Sequence, residues 1–125
     1  MNSDRELLAD CRARLAFDLF ANTWNAVVIW ALRHGPERPG LLRERIGGIS
    51  PKVLTETLRR LYANGLVERR RLPGSPPHVE YSLTELGRTL LAPIGAFGEW
   101  AFEHGDEVMD AQEAAEATSA RPSST

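Results

Sequence analysis

Three features of this 125-residue chain predict an α+β fold that is mainly helical. The first is Ser50-Pro51 followed by Leu54, Leu58 and Leu61. The serine oxygen can take up free backbone N–H groups, proline suits the first helical position because its missing donor is not needed there, and the leucines repeat at helical spacing. The second is Gly47-Gly48, a short break between that helix and one opening at Pro39 with Leu41, Leu42 and Ile46 as buried candidates. The third follows Asn64-Gly65, which both tolerate the left-handed conformation that ends a helix. Leu66-Val67 and Arg69-Arg70-Arg71 lead into Pro73-Gly74-Ser75-Pro76-Pro77, and residues 78–83 return with Val79, Tyr81 and Leu83 on one face. Two helices joined by a glycine turn and followed at once by a β-hairpin make a winged helix-turn-helix.

The remaining elements flank this unit. Ser3-Asp4-Arg5-Glu6 matches a capping box, so a first helix is expected there, with Leu7, Leu8, Cys11, Leu15 and Leu19 along one side and its end near residues 20–22. Thr23 is the expected cap of a second helix, whose Trp24, Val27, Val28, Ala31 and Leu32 fill the core until Gly35-Pro36 stops it. Thr84 caps a helix after the hairpin, with Glu85 at its positive end. Pro93 is expected to kink or interrupt it, since proline removes a donor and crowds the preceding turn. Ile94, Phe97, Ala101 and Val108, with Trp100 and Phe102, then mark an amphipathic helix. From Asp110 the chain drifts into Ala/Glu and then Ser/Pro, so one domain over residues 1–109 and a disordered tail over 110–125 are expected.

The net charge of −2 looks wrong for a partner of nucleic acid until the chain is divided. Between Arg33 and Arg88 eleven cations face six anions, a balance of +5, whereas residues 92–125 hold seven anions against Arg121 alone. A phosphate backbone responds to the local basic surface, not to the total. From the polar start no secretory signal is expected, and no apolar run approaches a membrane span. With one cysteine, no intrachain disulfide can form, so a reducing cytoplasmic location is expected.

The leucines turn Lys52, Glu56, Arg59 and Ala63 to the opposite side of their helix, flanked by Thr55. With the capping Ser50, these are the candidate reading residues for double-stranded DNA. A solvated helix side carries similar residues, and the adjoining basic hairpin is what separates the two readings. In the hairpin Arg69, Arg70, Arg71 and His78 are the candidate contacts. Because neighbours on a strand point to opposite faces, either Arg69 and Arg71 or Arg70 alone faces DNA. A winged helix can also serve as a protein–protein interaction module, but such a module more often places apolar residues where this chain has Lys52 and Arg59.

The order Cys11, Trp24, GGISPKVLTETLRRL, NGLVERR, PPHVEYSLTELG and Trp100 resembles the HxlR-type family of bacterial winged-helix regulators, near the MarR-type regulators, over residues 7–105. The resemblance implies a homodimer built by the terminal helices, binding a palindromic or pseudo-palindromic operator and regulating transcription. In some members the N-terminal cysteine senses electrophiles or oxidants, which makes Cys11 a candidate sensor and a small-molecule or electrophile effector a candidate partner. This chain has Ala21-Asn22-Thr23 where the family often has Gly-Gly-Lys, Arg12 where proline often follows the cysteine, and His78 at a wing position that is often arginine. Arg12 and Arg14 lie near enough in sequence to favour the reactive thiolate. Against sensing, Cys11 shares its helix face with Leu7, Leu8 and Leu15, as a small packed residue would.

Other chemistries find little support. His34, His78 and His104 stand on separate elements without the spacing of metal ligands. There is no phosphate-binding glycine loop, nucleophile elbow or catalytic carboxylate pair, so neither enzyme activity nor a cofactor is expected. Phe17, Phe20, Trp24, Trp30, Phe97, Trp100 and Phe102 line an effector pocket or form core and dimer interface.

Overall fold

The computed structural model describes residues 11–120. Its element order is α1 (Cys11–Ala21), α2 (Thr23–Ala31), α3 (Pro39–Ile46), α4 (Pro51–Ala63), β1 (Val67–Leu72), β2 (His78–Leu83), α5 (Glu85–Arg88) and α6 (Leu91–Ala120). The chain forms two compact units, one ending at Leu91 and one beginning at Ala92. Ser3 to Glu6, where the first helix is expected to start, lie outside the described residues.

The first unit is built around α4. Ser50 accepts the Val53 N–H at 3.1 Å, and Pro51 opens the helix. Leu54, Leu58 and Leu61 pack with Val28, Ile29 and Leu32 of α2 and its C-terminal end, Leu42 of α3, Ile49, Leu66, Val67 and Leu83 to form the buried core. Gly47 and Gly48 both have φ near +70°, a pair of positive-φ residues that turns α3 into α4. At the far end only Gly65 takes a positive φ, while Asn64 remains at −91°. Gly65 N–H donates to the Tyr62 carbonyl and Leu66 N–H to the Leu61 carbonyl, both at 3.0 Å. That pair of bonds is a Schellman motif, closed by the buried Leu61 and Leu66.

β1 and β2 pair antiparallel, Val67 opposite Leu83 and Leu72 opposite His78. The hairpin base is stitched to the end of α4: Thr84 N–H donates to the Leu66 carbonyl, and the Thr84 hydroxyl donates to the Gly65 carbonyl while accepting the Gly87 N–H. Glu37, before α3, exchanges both backbone hydrogen bonds with Tyr81 at 2.9 Å and so adds a one-residue bridge to the hairpin. Its carboxylate accepts from Arg45 of α3 at 2.7 Å. The helix-turn-helix and the hairpin are thereby tied through Glu37.

Several expectations need correction. Asn22, not Thr23, caps α2, because its side chain accepts the Trp24 N–H at 3.0 Å. Buried α2 residues are Asn25, Val28 and Ile29, with Trp24 and Val27 only half-buried, and Leu41 of α3 is 49% exposed. No residue of α1 is buried; Leu15 and Phe17 lie open. The interruption after α5 falls at Thr89 and Leu90, ahead of Pro93. Pro93 then sits in the first turn of α6, where its missing N–H has no acceptor within the helix. α6 runs on through Ala120, beyond the point where order is expected to fade, because alanine and glutamate are strong helix formers. The described residues from Asp110 onward are exposed. No helix of the described residues is long and apolar enough to cross a membrane.

Candidate nucleic-acid interface

Helical phase gives α4 two chemically distinct sides. Lys52, Thr55, Glu56, Arg59 and Ala63 are exposed, as is Ser50 at the cap. The Thr55 hydroxyl donates back to the Pro51 carbonyl at 2.9 Å. Lys52, Glu56 and Arg59 make no side-chain hydrogen bond or ion pair among the described residues. Arg60, the next residue, points inward. Its Nε donates to Asn25 Oδ1 at 3.1 Å and its Nη2 to Thr57 Oγ1 at 3.4 Å, while Asn25 Nδ2 donates to the Leu19 carbonyl at 2.6 Å. Asn25 and Thr57 are buried, and no buried side-chain polar atom among the described residues lacks a partner. This network couples α4, α2 and the end of α1, and it holds Arg60 against them.

The hairpin register resolves its own alternation. Arg69 stands opposite Tyr81 and Arg71 opposite Val79, on the face that Val67 and Leu83 turn toward the core. Arg70 stands opposite Glu80, on the other face with Glu68 and His78. Arg69 meets α4 across a cleft of about 310 Å³ lined by Thr55, Arg59, Tyr62, Arg69 and Tyr81. The structure thus brings Thr55, Arg59 and Arg69 together and sets Arg70 and His78 apart from them. Tyr62 and Tyr81 are not among the residues the sequence singles out for DNA. Tyr62 follows Thr55 and Arg59 at i+7 and i+3, a spacing that could have found it; Tyr81 reads as an inward residue of a strand.

Elsewhere, Cys11 carries an exposed free thiol. Arg33 stacks on Trp30 with its guanidinium carbon 4.7 Å from the ring centroid. Phe97, Trp100 and Phe102 of α6 are exposed, with Trp100 and His104 ring centroids 5.3 Å apart. Among the described residues no group of three or more His, Cys, Asp or Glu side chains is placed to hold a metal ion.

A helix exposing cations beside a basic hairpin invites comparison with known regulators. The model of the HxlR-like helix-turn-helix family matches residues 19–109. The chain belongs to that family. It is 36% identical over 99 residues to the uncharacterized HTH-type transcriptional regulator YtfH of Escherichia coli K12, covering 79% of each chain. Its fold is similar to the reduced form of the transcriptional regulator YodB from B. subtilis, at 38% identity and a TM-score of 0.68 over 75% of this chain and 92% of that one. YodB has also been solved diamide-treated and quinone-bound. A third likeness is to the redox regulator HypR in its oxidized form, at 33% identity and a TM-score of 0.69, covering 74% of this chain and 96% of that one. As an HxlR-like protein, this chain is a DNA-binding transcriptional regulator with a winged helix-turn-helix fold.

Proposed function

We propose that this HxlR-like regulator acts in the cytoplasm as a homodimer, setting two copies of α4 into successive major grooves of a palindromic or pseudo-palindromic operator. The observation that carries the reading is the outer face of α4, where Lys52, Thr55, Glu56 and Arg59 stand exposed beside a hairpin bearing Arg69 and Arg71. Lys52 is the proposed base reader, since an ammonium matches the paired acceptors on a guanine edge, while Arg59 lies along the cleft toward the hairpin. Ser50, at the helix N-terminus, and the wing residues Arg69 and Arg71 contact phosphates, which fix position without reading sequence, while Arg70 and His78 lie on the other hairpin face. The open apolar side chains of α1 and α6, such as Leu15, Phe17, Phe97 and Trp100, suit a subunit interface.

Selection of binding sites from random duplex DNA tests this. The expected product is two related half-sites about one helical turn, roughly 34–36 Å, apart. Equal affinity for the selected and a scrambled duplex at every salt concentration would rule the reading out.

Cys11 is the proposed sensor, favoured by its exposed thiol and by the reduced, diamide-treated and quinone-bound forms in which YodB is known. With one cysteine per chain, two thiols from two molecules lose two electrons and two protons to diamide and join as a disulfide, either Cys11 to Cys11 or Cys11 to a small thiol. A quinone instead accepts the sulfur on a ring carbon and is left as a hydroquinone adduct. Treatment should lower operator affinity in the wild type and leave Cys11→Ser unchanged. A modified Cys11, shown by mass spectrometry, with unaltered affinity would make the thiol reactive but not a switch.

A further inference from the structure

We propose that the cleft between α4 and the hairpin is a seat for one phosphate group, with Arg59 and Arg69 as its charged donors and the hydroxyls of Tyr62 and Tyr81 completing it. The proposal rests on the DNA-binding reading above and assigns a specific contact to it. Four observations lead there. The cleft holds about 310 Å³ and is lined by Thr55, Arg59, Tyr62, Arg69 and Tyr81, with no carboxylate among them. Arg59 and Arg69 make no ion pair or side-chain hydrogen bond among the described residues, whereas Arg45 and Arg60 are each held by a partner. The hairpin register turns Glu68 and Glu80 to the opposite face, so the hairpin's own carboxylates do not neutralise the site. Finally, Thr55 directs its hydroxyl to the Pro51 carbonyl, so the other side-chain donors among the lining residues are guanidiniums and phenols.

Two guanidiniums converging on one cleft repel each other until an anion enters. A phosphate is the anion that fits: a guanidinium can engage it with two parallel N–H bonds, and a neutral phenol donates a third kind of bond to a remaining oxygen. Duplex geometry brings such a group to this place. One phosphodiester strand separates each major groove from the adjacent minor groove, so a protein with α4 in the former and its hairpin over the latter must straddle that strand. The strand then crosses between α4 and the hairpin, where the cleft opens. Thr55, Arg59 and Tyr62 share one helical stripe and Arg69 pairs with Tyr81, so both walls of the cleft follow directly from local periodicity. A free phosphate ion offers the same oxygens, and the test separates the two sources.

The full chain is titrated against its selected operator in which single phosphates are replaced, one at a time, by neutral methylphosphonates. In the wild type, neutralising one phosphate in each half-site should weaken binding about tenfold, the scale of a hydrogen bond to a charged group. At that same phosphate Arg69→Gln and Tyr62→Phe should blunt the loss, while other phosphates keep theirs. Tyr62 and Arg69 are exposed, and the tyrosine loses only its hydroxyl, so both variants keep the fold. Identical profiles in wild type and both variants would exclude a backbone phosphate from the cleft. In a second arm inorganic phosphate alone is titrated into DNA-free protein at constant ionic strength, followed by NMR shifts of the tyrosine rings. Saturable shifts that vanish in Arg59→Gln, without coupling in the duplex arm, assign the seat to a free anion. No coupling and no saturable shift would overturn the proposal. Should selection recover no operator, the reading of the protein as a sequence-specific regulator falls, while the phosphate titration still decides the cleft.

Discussion

Arg59 and Arg60 are adjacent on α4, and the helix sends them about 100° apart. Arg59 reaches into an open cleft with no partner among the described residues, while Arg60 is half-buried against Asn25 and Thr57. The same division runs through the whole basic region. Arg45 is held by Glu37 and Arg33 lies on Trp30, whereas Lys52 and Arg69 have no such partner among the described residues. A count of cations therefore overstates the charge available to DNA. What decides each one's role is helical or strand phase together with the nearest acceptor, and an inward arginine stabilises the helix that an outward arginine uses for contact.

The most direct way to break the inner side is to empty it. Leu58→Ala removes a buried side chain at the centre of α4 and should destabilise the fold by about 2–5 kcal/mol, read as a lower urea midpoint with little change in slope. Gly87→Ala should come next. A Cβ there collides with the Leu66 carbonyl, which is backbone and cannot swing away, so the hairpin base must shift at about 1–3 kcal/mol. Asn25→Ala leaves the Arg60 Nε and the Leu19 carbonyl without their partner and should lower stability by about 1–3 kcal/mol. In Leu58→Ala and Asn25→Ala, the protein that remains folded should bind DNA with unchanged affinity per molecule. A loss of affinity beyond the loss of folded protein would show that the two sides of α4 are not independent.

The wing sharpens the comparison from the outer side. Changing Arg69, Arg70 and Arg71 together to alanine should weaken binding to every duplex and flatten the slope of log K against log salt by about 0.9 for each phosphate that is no longer neutralised. Split into single variants, Arg69→Ala should account for more of that change than Arg70→Ala, because Arg69 faces the cleft and Arg70 stands opposite Glu80. Equal changes would mean that both faces of the hairpin touch the DNA backbone.

Much of the fold was legible in the sequence because its signals are local. Ser50-Pro51, Leu54, Leu58 and Leu61, the glycine pair at 47 and 48, and Thr84 each act within a turn or two, and each stands where periodicity and capping placed it. The outer face of α4 follows from the same period. What stayed hidden depends on long separations. Asn25 and Arg60 are 35 residues apart, and the Glu37 bridge to Tyr81 joins a loop to a strand that the intervening sequence does not mark. Tyr81 alternates as an inward residue, yet the cleft exists only because α4 and the hairpin come together. Pro93 misled because its effect depends on whether a helix starts before it or at it. Leu41 and the apolar side of α1 look buried by pattern, but nothing within the chain decides whether an apolar stripe meets its own core or another surface.

Arg59→Gln and Arg60→Gln, measured side by side for unfolding free energy and operator affinity, test the division of α4 most directly. Arg59→Gln should keep its stability to within about 0.5 kcal/mol, as expected for a surface site, and lose about tenfold in operator affinity, the scale of a hydrogen bond to a charged group. Arg60→Gln should lose stability and bind the operator as the wild type does, per folded molecule. The opposite pattern, or equal losses of affinity in both variants, would contradict the assignment of α4's outer face as the one that meets DNA.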